Sequence, residues 1–230
     1  MKTLGLLGGL SWRSTAEYYR LLNEGARSRL GSQHSAKIIL YSFDFQEMTD
    51  LKKNNDWQAV TKTLTHAALA LENAGAQALM ICSNTMHRVA ADVRAQLTVP
   101  IIDIVDATAQ AVVASGCRRP ILLGTLYTLT SGIFSERLKE NHKIDTMMPD
   151  ESARKQIHQM IYSELCNGEI RPRSKQHLLS ICQALYAKGA DGVILGCTEL
   201  TLILTAEDFD MPVFDTTKIH ASAALDLAIM

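Results

Sequence analysis

Several features that mark specialised protein classes are missing from this sequence. Its 230 residues hold 23 basic and 24 acidic side chains, so no excess of one charge indicates a nucleic-acid or anionic-membrane partner. No uncharged apolar run is long enough to span a bilayer. Paired glycines interrupt the apolar start, which therefore predicts a buried first strand and its turn rather than a leader. With 47% hydrophobic residues, we expect a globular protein that binds neither nucleic acid nor membrane.

Cysteine pairs and the common site motifs are also missing. The cysteines are odd in number, widely spaced and without a C-x-x-C pair: Cys82, Cys117, Cys166, Cys182 and Cys197. This pattern predicts free thiols in a reducing compartment, so we expect a cytoplasmic protein. The histidines form neither H-E-x-x-H nor a cluster with ligand spacing, which predicts no metal site. Glycine-rich nucleotide motifs and the G-x-S-x-G elbow of serine hydrolases are missing too.

The sequence does contain a regular alternation of short apolar runs and longer amphipathic segments. This alternation is typical of βαβ units around a parallel sheet, so we predict an α/β fold. The predicted strands lie at 4–7, 37–42, 79–82, 101–104, 121–123, 145–148, 193–195 and 213–214. The clearest predicted helices cover 57–73 and 174–188, each followed closely by a glycine.

The two halves of the chain resemble each other. Residues 75–85 read GAQALMICSNT and residues 189–199 read GADGVILGCTE, and this register places Ser83 opposite Cys197. Leu-Leu-Gly recurs at 6–8 and 122–124, and a proline-led strand ending in aspartate recurs at 100–103 and 212–215. Three landmarks in the same order predict a duplicated α/β unit. We expect a first lobe of residues 1–103 with the C-terminal helix 216–230, and a second lobe of residues 104–215.

Two polar segments follow strands at matching places in the repeat. Ligands of open parallel sheets bind beyond the carboxyl ends of the strands, where Ser83 and Cys197 are predicted to lie. Each segment also begins a predicted helix, whose free N–H groups favour an anionic ligand and are expected to lower a thiol pKa. Cys197 is therefore the candidate reactive thiol, with a small buried hydrophobe as the alternative. Cys82 is one residue out of register, and alternation along a strand predicts that it faces the interior of its lobe.

Three motifs carry a resemblance to a known family. Residues 8–11 read Gly-Gly-Leu-Ser, residues 82–87 read Cys-Ser-Asn-Thr-Met-His, and residues 196–199 read Gly-Cys-Thr-Glu. With these motifs, the whole chain resembles the cofactor-independent aspartate/glutamate racemases. The resemblance implies two pseudo-symmetric Rossmann-like lobes with parallel sheets, an active site in the cleft between them, an amino-acid substrate, no cofactor and a homodimer. In that family two thiols flank the substrate Cα, and one removes a proton while the other returns one.

The first thiol position of that family holds Ser83 in this chain. A hydroxyl is a far weaker acid than a thiol, so its alkoxide is scarcely available as a base. We therefore hypothesise that Cys197 is the main acid/base, with Ser83 opposite it as a slow base for one direction. The family motifs and their neighbourhood supply the expected substrate-binding residues, which are Leu10, Ser11, Lys52, Asn84, Thr85, His87, Thr198 and Glu199.

Some of these assignments have structural alternatives. His87 fits a structural role as well as a binding role, and Glu199 fits either orientation of the substrate ammonium or stabilisation of a helix start. Acid-specific relatives carry an arginine and a lysine where this chain has residues 45–49 and Cys166. Lys52, in the predicted loop near the first of these stretches, is the substitute charge, with a solvated surface lysine as the alternative.

Two other functions remain open from the sequence. Decarboxylases of the arylmalonate type resemble this superfamily and use a single cysteine at the second position to protonate a carbanion. A non-catalytic protein that binds an amino acid in the cleft is the alternative from another class.

Overall fold

The computed structural model describes residues 1–230, and the chain divides into two compact units. The first unit comprises Met1–Ile104 with His220–Met230, and the second comprises Val105–Ile219. None of the helices combines the length and the apolar character needed to cross a bilayer.

Strands and helices alternate along most of the chain. The strands are β1 (Leu4–Gly8), β2 (Ile38–Ser42), β3 (Ala78–Ile81), β4 (Ile101–Ile102), β5 (Pro120–Leu123), β6 (Gly192–Leu195) and β7 (Val213–Asp215). The α-helices are α1 (Trp12–Leu30), α2 (Phe45–Lys53), α3 (Trp57–Asn73), α4 (Ala90–Arg94), α5 (Ile104–Ser115), α6 (Leu126–Thr130), α7 (Ser135–His142), α8 (Glu151–Ser163), α9 (Pro172–Tyr186) and α10 (Thr216–Ile229). Short 3₁₀ helices lie at Thr85–Val89, Leu165–Asn167, Thr198–Leu202 and Ala206–Asp208.

The first unit contains a four-stranded parallel sheet in the order β2-β1-β3-β4. Because side chains alternate along a strand, Leu79 and Ile81 of β3 face one core while Met80 faces another. Helix α3 packs on the first face, and α1 and α10 pack on the second. The apolar spacing of residues 57–73 correctly predicted α3, including both of its ends.

The second unit contains a three-stranded parallel sheet in the order β5-β6-β7. This order repeats that of β1-β3-β4 in the first unit, as the duplicated sequence landmarks predict. The strand expected at 145–148 was wrong, because only Met147 joins the sheet, as an isolated bridge to Ile121. Pro149 follows with no N–H to donate, and Asp150 then caps the start of α8, so the chain leaves the sheet there.

Candidate active site

In the first unit the candidate site begins where β3 ends. Cys82 is fully buried in the core formed with α1 and α10, and burial raises the pKa of its thiol. Its inward orientation confirms the alternation argument. Ser83 is only partly buried, and its Oγ accepts the N–H of Met86 at 3.4 Å in the first turn of the following 3₁₀ helix. Ser83 is therefore the residue of this pair that is available to a ligand.

Two backbone hydrogen bonds fix the buried His87 ring. The N–H of Ile104, the first residue of α5, donates to Nε2 at 3.1 Å, so Nε2 carries the lone pair. The proton is therefore on Nδ1, which donates to the carbonyl oxygen of Ser83 at 2.7 Å. The neutral His87 ring thus links the backbone of Ser83 to the start of α5, and neither ring nitrogen is left for a substrate. The structural role, rather than the expected binding role, accounts for this residue.

Asn84 and Thr85 occupy the same turn as Ser83. Asn84 is buried, and its backbone carbonyl oxygen accepts the backbone N–H of His87 at 3.1 Å. Thr85 is partly buried and begins the 3₁₀ helix Thr85–Val89. The two polar side chains therefore follow Ser83 on a turn that the buried His87 holds in place.

The turn between β1 and α1 lies at the same carboxyl end of the sheet as Ser83. β1 and β3 are neighbouring strands, and the N–H of Cys82 donates to the carbonyl oxygen of Leu7 at 3.0 Å. Gly9 has a positive φ of 73°, and a Cβ there would clash with the backbone of Phe43. Its N–H donates to Thr15 Oγ1 at 2.8 Å, so it is not a free anion donor.

Leu10 and Ser11 complete that turn, and both are buried. The side chain of Leu10 belongs to the core under α3, so its expected place beside a substrate is taken by core packing. Ser11 accepts the N–H and the hydroxyl of Thr15 through its carbonyl oxygen, each at 3.1 Å. These bonds fix the start of α1.

Lys52 differs from its sequence-based description. It lies within α2 rather than in a loop, and only 5% of its surface is exposed, so it is not part of a solvated face. Its Nζ is 5.2 Å from the centre of the Phe45 ring, within the range of a cation–π contact. Lysine is rarely this buried unless its ammonium is held by its surroundings, so Lys52 is a fixed side chain of the first unit rather than a mobile surface charge.

In the second unit the corresponding turn follows β6. The N–H of Gly196 donates to Leu123 at 2.8 Å, and a Cβ on Gly196 would approach the same carbonyl oxygen to 2.7 Å. Only glycine allows this close approach. The hydroxyl of Thr216 donates to Leu195 at 2.8 Å and fixes the end of the strand from the other side. The backbone that presents Cys197 is thus held by β5 on one side and by the first residue of α10, directly after β7, on the other.

Cys197 and Glu199 form a buried pair in this turn. The thiol donates to Glu199 Oε2, with 3.0 Å between sulfur and oxygen. Burial and the adjacent carboxylate raise the pKa of Cys197 well above its ordinary value. The expected lowering of this pKa was therefore wrong. The segment after Cys197 is a five-residue 3₁₀ helix, whose dipole is too short to offset burial and a neighbouring negative charge.

Thr198 and Tyr162 are two further residues of the second unit that lie close to Cys197. Thr198 is partly buried, and its carbonyl oxygen accepts the hydroxyl of Thr201 at 2.7 Å. The pKa of Tyr162 on α8 is raised by burial and by the nearby Cys197. The Tyr162 ring lies 4.8 Å from that of His158, centre to centre. No motif marked Tyr162, since a tyrosine on an amphipathic helix is typical of core packing.

The structure thus gathers Ser83, Asn84, Thr85 and His87 in one turn, and Cys197, Thr198 and Glu199 in another. Each turn follows a central strand of a parallel sheet, and one of them holds a thiol on a carboxylate. No three His, Cys, Asp or Glu side chains are grouped as metal ligands. These features describe an α/β protein that carries a hydroxyl and a thiol directly after the central strands of its two sheets.

Comparison with known proteins gives the family. A family model described as Asp/Glu/hydantoin racemase matches residues 7–224. The chain belongs to this family, and it is an isomerase of the amino-acid racemase type (EC 5.1.1).

Individual relatives agree over the full length. The chain is 23% identical over 228 residues to the broad specificity amino-acid racemase RacX of Bacillus subtilis, with 96% of each chain covered. The crystal structure of a candidate Asp/Glu racemase from Yersinia pestis is 46% identical, with a TM-score of 0.94 and 100% of both chains covered. The structure of an aspartate racemase homologue from Pyrococcus horikoshii OT3 is 32% identical, with a TM-score of 0.88 and the same coverage.

Proposed function

We propose that this racemase exchanges the Cα proton of α-amino acids with Cys197 as its main acid/base and Ser83 acting on the opposite face of Cα. The hydrogen bond from the Cys197 thiol to Glu199 carries the proposal. It puts a proton donor and a proton acceptor in contact within a buried turn, and proton transfer at carbon requires both kinds of group.

Glu199 gives Cys197 access to both of its protonation states. In the resting pair the thiol carries the proton, so Cys197 is ready to protonate a carbanion. When Glu199 takes that proton, the thiolate is free to remove the proton from Cα. The Cα–H electron pair stays on the substrate as a carbanion, and an S–H bond forms. The raised pKa of the thiol makes the thiolate a strong base once it has formed.

Ser83 completes the reaction on the other face. Its hydroxyl donates a proton to the carbanion, and because Ser83 is only partly buried, solvent protonates the alkoxide that remains. Glu199 gives up the proton that it took from the thiol, which balances the proton supplied to Ser83 and restores the resting pair. This step is difficult because an alkoxide is costly to form near neutral pH. Ser83 is therefore the slower of the two groups, and exchange at Cys197 without inversion competes with full racemisation.

Substrate binding is proposed to use groups from both turns. Asn84, Thr85 and Thr198 are the polar side chains next to the reacting groups, and they suit the α-carboxylate. Lys52 suits the side-chain carboxylate of aspartate or glutamate, because its ammonium is buried and already oriented by the Phe45 ring. We therefore propose acidic amino acids as the best substrates, with neutral ones turned over more slowly.

Proton NMR in D₂O tests this proposal with a panel of acidic and neutral L- and D-amino acids and no added cofactor. We expect loss of the Cα proton signal, fastest for aspartate or glutamate. Cys197→Ala should slow that exchange by about 100-fold or more. Cys182→Ala is the matched control, since this thiol is buried in the core of the same unit. Unchanged exchange in Cys197→Ala would rule out the thiol mechanism.

A further inference from the structure

The backbone of Ser83 is hydrogen-bonded at both of its polar groups, whereas its hydroxyl proton is not. The N–H of Ser83 donates to the carbonyl oxygen of Ile81 at 2.8 Å, and the carbonyl oxygen of Ser83 accepts the proton of His87 Nδ1 at 2.7 Å. Ser83 Oγ only accepts, from the N–H of Met86 at 3.4 Å. The hydroxyl proton therefore stays available to a substrate, while the position of Ser83 depends on its backbone contacts.

The segment that follows β4 in turn fixes the His87 ring and its neighbour His220. The N–H of Ile104 donates to His87 Nε2 at 3.1 Å, and the carbonyl oxygen of Ile102 accepts the Nε2–H of His220 at 2.8 Å. The two rings pack edge to face with 5.5 Å between their centres, and the hydroxyl of Tyr18 donates to Nδ1 of His220 at 2.9 Å. Both rings are buried, so neither can rotate without breaking a buried hydrogen bond.

We propose that His87 is the positioning residue for Ser83 and that it serves only the reaction on the Ser83 face of Cα. This inference rests on the proposed function, in which the Ser83 hydroxyl protonates the carbanion. The bond from His87 Nδ1 fixes the Ser83 carbonyl, and with it the direction of the Cα–Cβ bond that carries the hydroxyl. A misplacement of about 1 Å can slow a reaction of this kind by about 100-fold. The turn of Cys197 is held by hydrogen bonds within the second unit, so exchange at the thiol does not depend on His87.

The two ring nitrogens of His87 can be replaced one at a time. Asparagine places an amide N–H where Nδ1 lies, so His87→Asn keeps a donor for the Ser83 carbonyl and loses the acceptor for Ile104. Glutamine brings its side-chain oxygen to the place of Nε2, so His87→Gln keeps that acceptor and loses the donor. Each variant loses one buried hydrogen bond, so both should unfold at similar temperatures, below that of wild type.

Two rates measured in D₂O with one substrate test the role of His87. Loss of the Cα proton from the faster-exchanging enantiomer reports on Cys197, and formation of the opposite enantiomer, followed by chiral chromatography, reports on Ser83. His87→Gln should lower the rate of inversion by about 10-fold or more and change the exchange rate by less than about 3-fold. His87→Asn should retain at least about a third of the wild-type inversion rate. His66→Gln is the control, because His66 is an exposed histidine of the same unit, on α3.

The results separate the role of His87 from the proposed function as a whole. Equal inversion rates in His87→Gln and His87→Asn would indicate a merely structural role and overturn the proposal. Exchange and inversion that fall together in His87→Gln would overturn it as well. Ser83→Ala provides the reference. If Ser83→Ala lowers the inversion rate and His87→Gln does not, only the role of His87 is wrong, whereas unchanged inversion in Ser83→Ala contradicts the proposed function too.

Discussion

At the level of single residues, the site depends on how Cys197 is ionised. Burial raises the pKa of Cys197, and Glu199 adds to this shift because its Oε2 accepts the thiol hydrogen bond, with 3.0 Å between sulfur and oxygen. In the proposed mechanism a thiol held in this way is the proton donor at neutral pH, and its carboxylate partner decides when it becomes a base. Glu199, two residues after Cys197 in the sequence, is therefore proposed to control the ionisation of the thiol.

Replacing Glu199 by glutamine tests that control. Removing the negative charge should stabilise the thiolate, so the pKa of Cys197 should fall, by about one unit for the loss of one adjacent charge. The pH dependence of Cys197 alkylation, followed by peptide mass spectrometry, measures the shift. Glu207→Gln is the control, because Glu207 lies on the exposed 3₁₀ helix Ala206–Asp208. An unchanged or higher alkylation midpoint in Glu199→Gln would contradict the assigned role.

The sequence predicted the orientation of some site residues correctly and the surroundings of others incorrectly. Register within the repeat separated Ser83 from Cys82, because alternation along a strand depends only on local geometry. The direction of the Cys197 pKa shift and the burial of Lys52 were mispredicted. The main cause in both cases is burial by side chains from several elements, which neighbouring residues in the sequence do not reveal. Glu199, two residues after Cys197, adds to the shift of the thiol pKa.

At the level of elements, α10 is tied to the first unit's sheet through His220. Its Nε2–H donates to the carbonyl oxygen of Ile102 at 2.8 Å, and Nδ1 accepts the hydroxyl of Tyr18 at 2.9 Å. The ring is fully buried and packs edge-on against His87, 5.5 Å away between centres. Burial, with a smaller effect of His87, lowers the pKa of His220 to about 3.

This anchor makes the protein sensitive to acid. In the unfolded chain the pKa of His220 returns to about 6.5. Between about pH 6.5 and pH 3 the unfolded state therefore binds a proton that the folded state does not bind. The free energy of unfolding should therefore fall as the pH drops from about 6.5 toward 3, by about 1.4 kcal/mol per pH unit from this group.

His220→Gln keeps a hydrogen-bond donor and acceptor but cannot titrate. We expect it to be less stable than wild type at neutral pH, with the difference shrinking by about 1.4 kcal/mol for each pH unit below about 6. Urea denaturation at a series of pH values measures this. A stability difference that stays constant with pH would show that His220 does not titrate on unfolding.

Elements with strong periodicity were predictable, and short ones were not. The spacing from Trp57 onward specified α3 because a buried helix face needs apolar residues every three or four positions. The stretch around Met147 has the composition of a strand, yet Pro149 limits it to a single bridge. Whether a short apolar run becomes a strand depends on a partner that its own residues do not specify.

At the level of the whole molecule, both units repeat one strand order, β1-β3-β4 and β5-β6-β7. The repeat was visible in the sequence because both copies keep a similar turn, which follows β3 in the first unit and β6 in the second. The copies differ at the next position outward, where β2 has five residues and the Met147 segment has one bridge. The open edge of β2 was not predictable, since no sequence pattern states which strand lies at the end of a sheet.

The proposed mechanism depends on Ser83 and Cys197 being acid/base groups of unequal strength. Mirror-image amino acids have equal free energies, so the efficiency of racemisation is the same in both directions whatever the two bases are. The inequality should instead appear in exchange with retention of configuration, because a thiolate can remove and return a proton on its own face while a serine hydroxyl scarcely does so.

The most direct test is the initial rate of Cα proton exchange in D₂O, measured separately for the L and D forms of the best substrate. We predict that wild type exchanges one enantiomer at least about 10-fold faster, as expected when one of two acid/base groups is poor. Ser83→Cys should bring the two rates together by raising the slower one. Equal rates for both enantiomers with wild type would contradict the account.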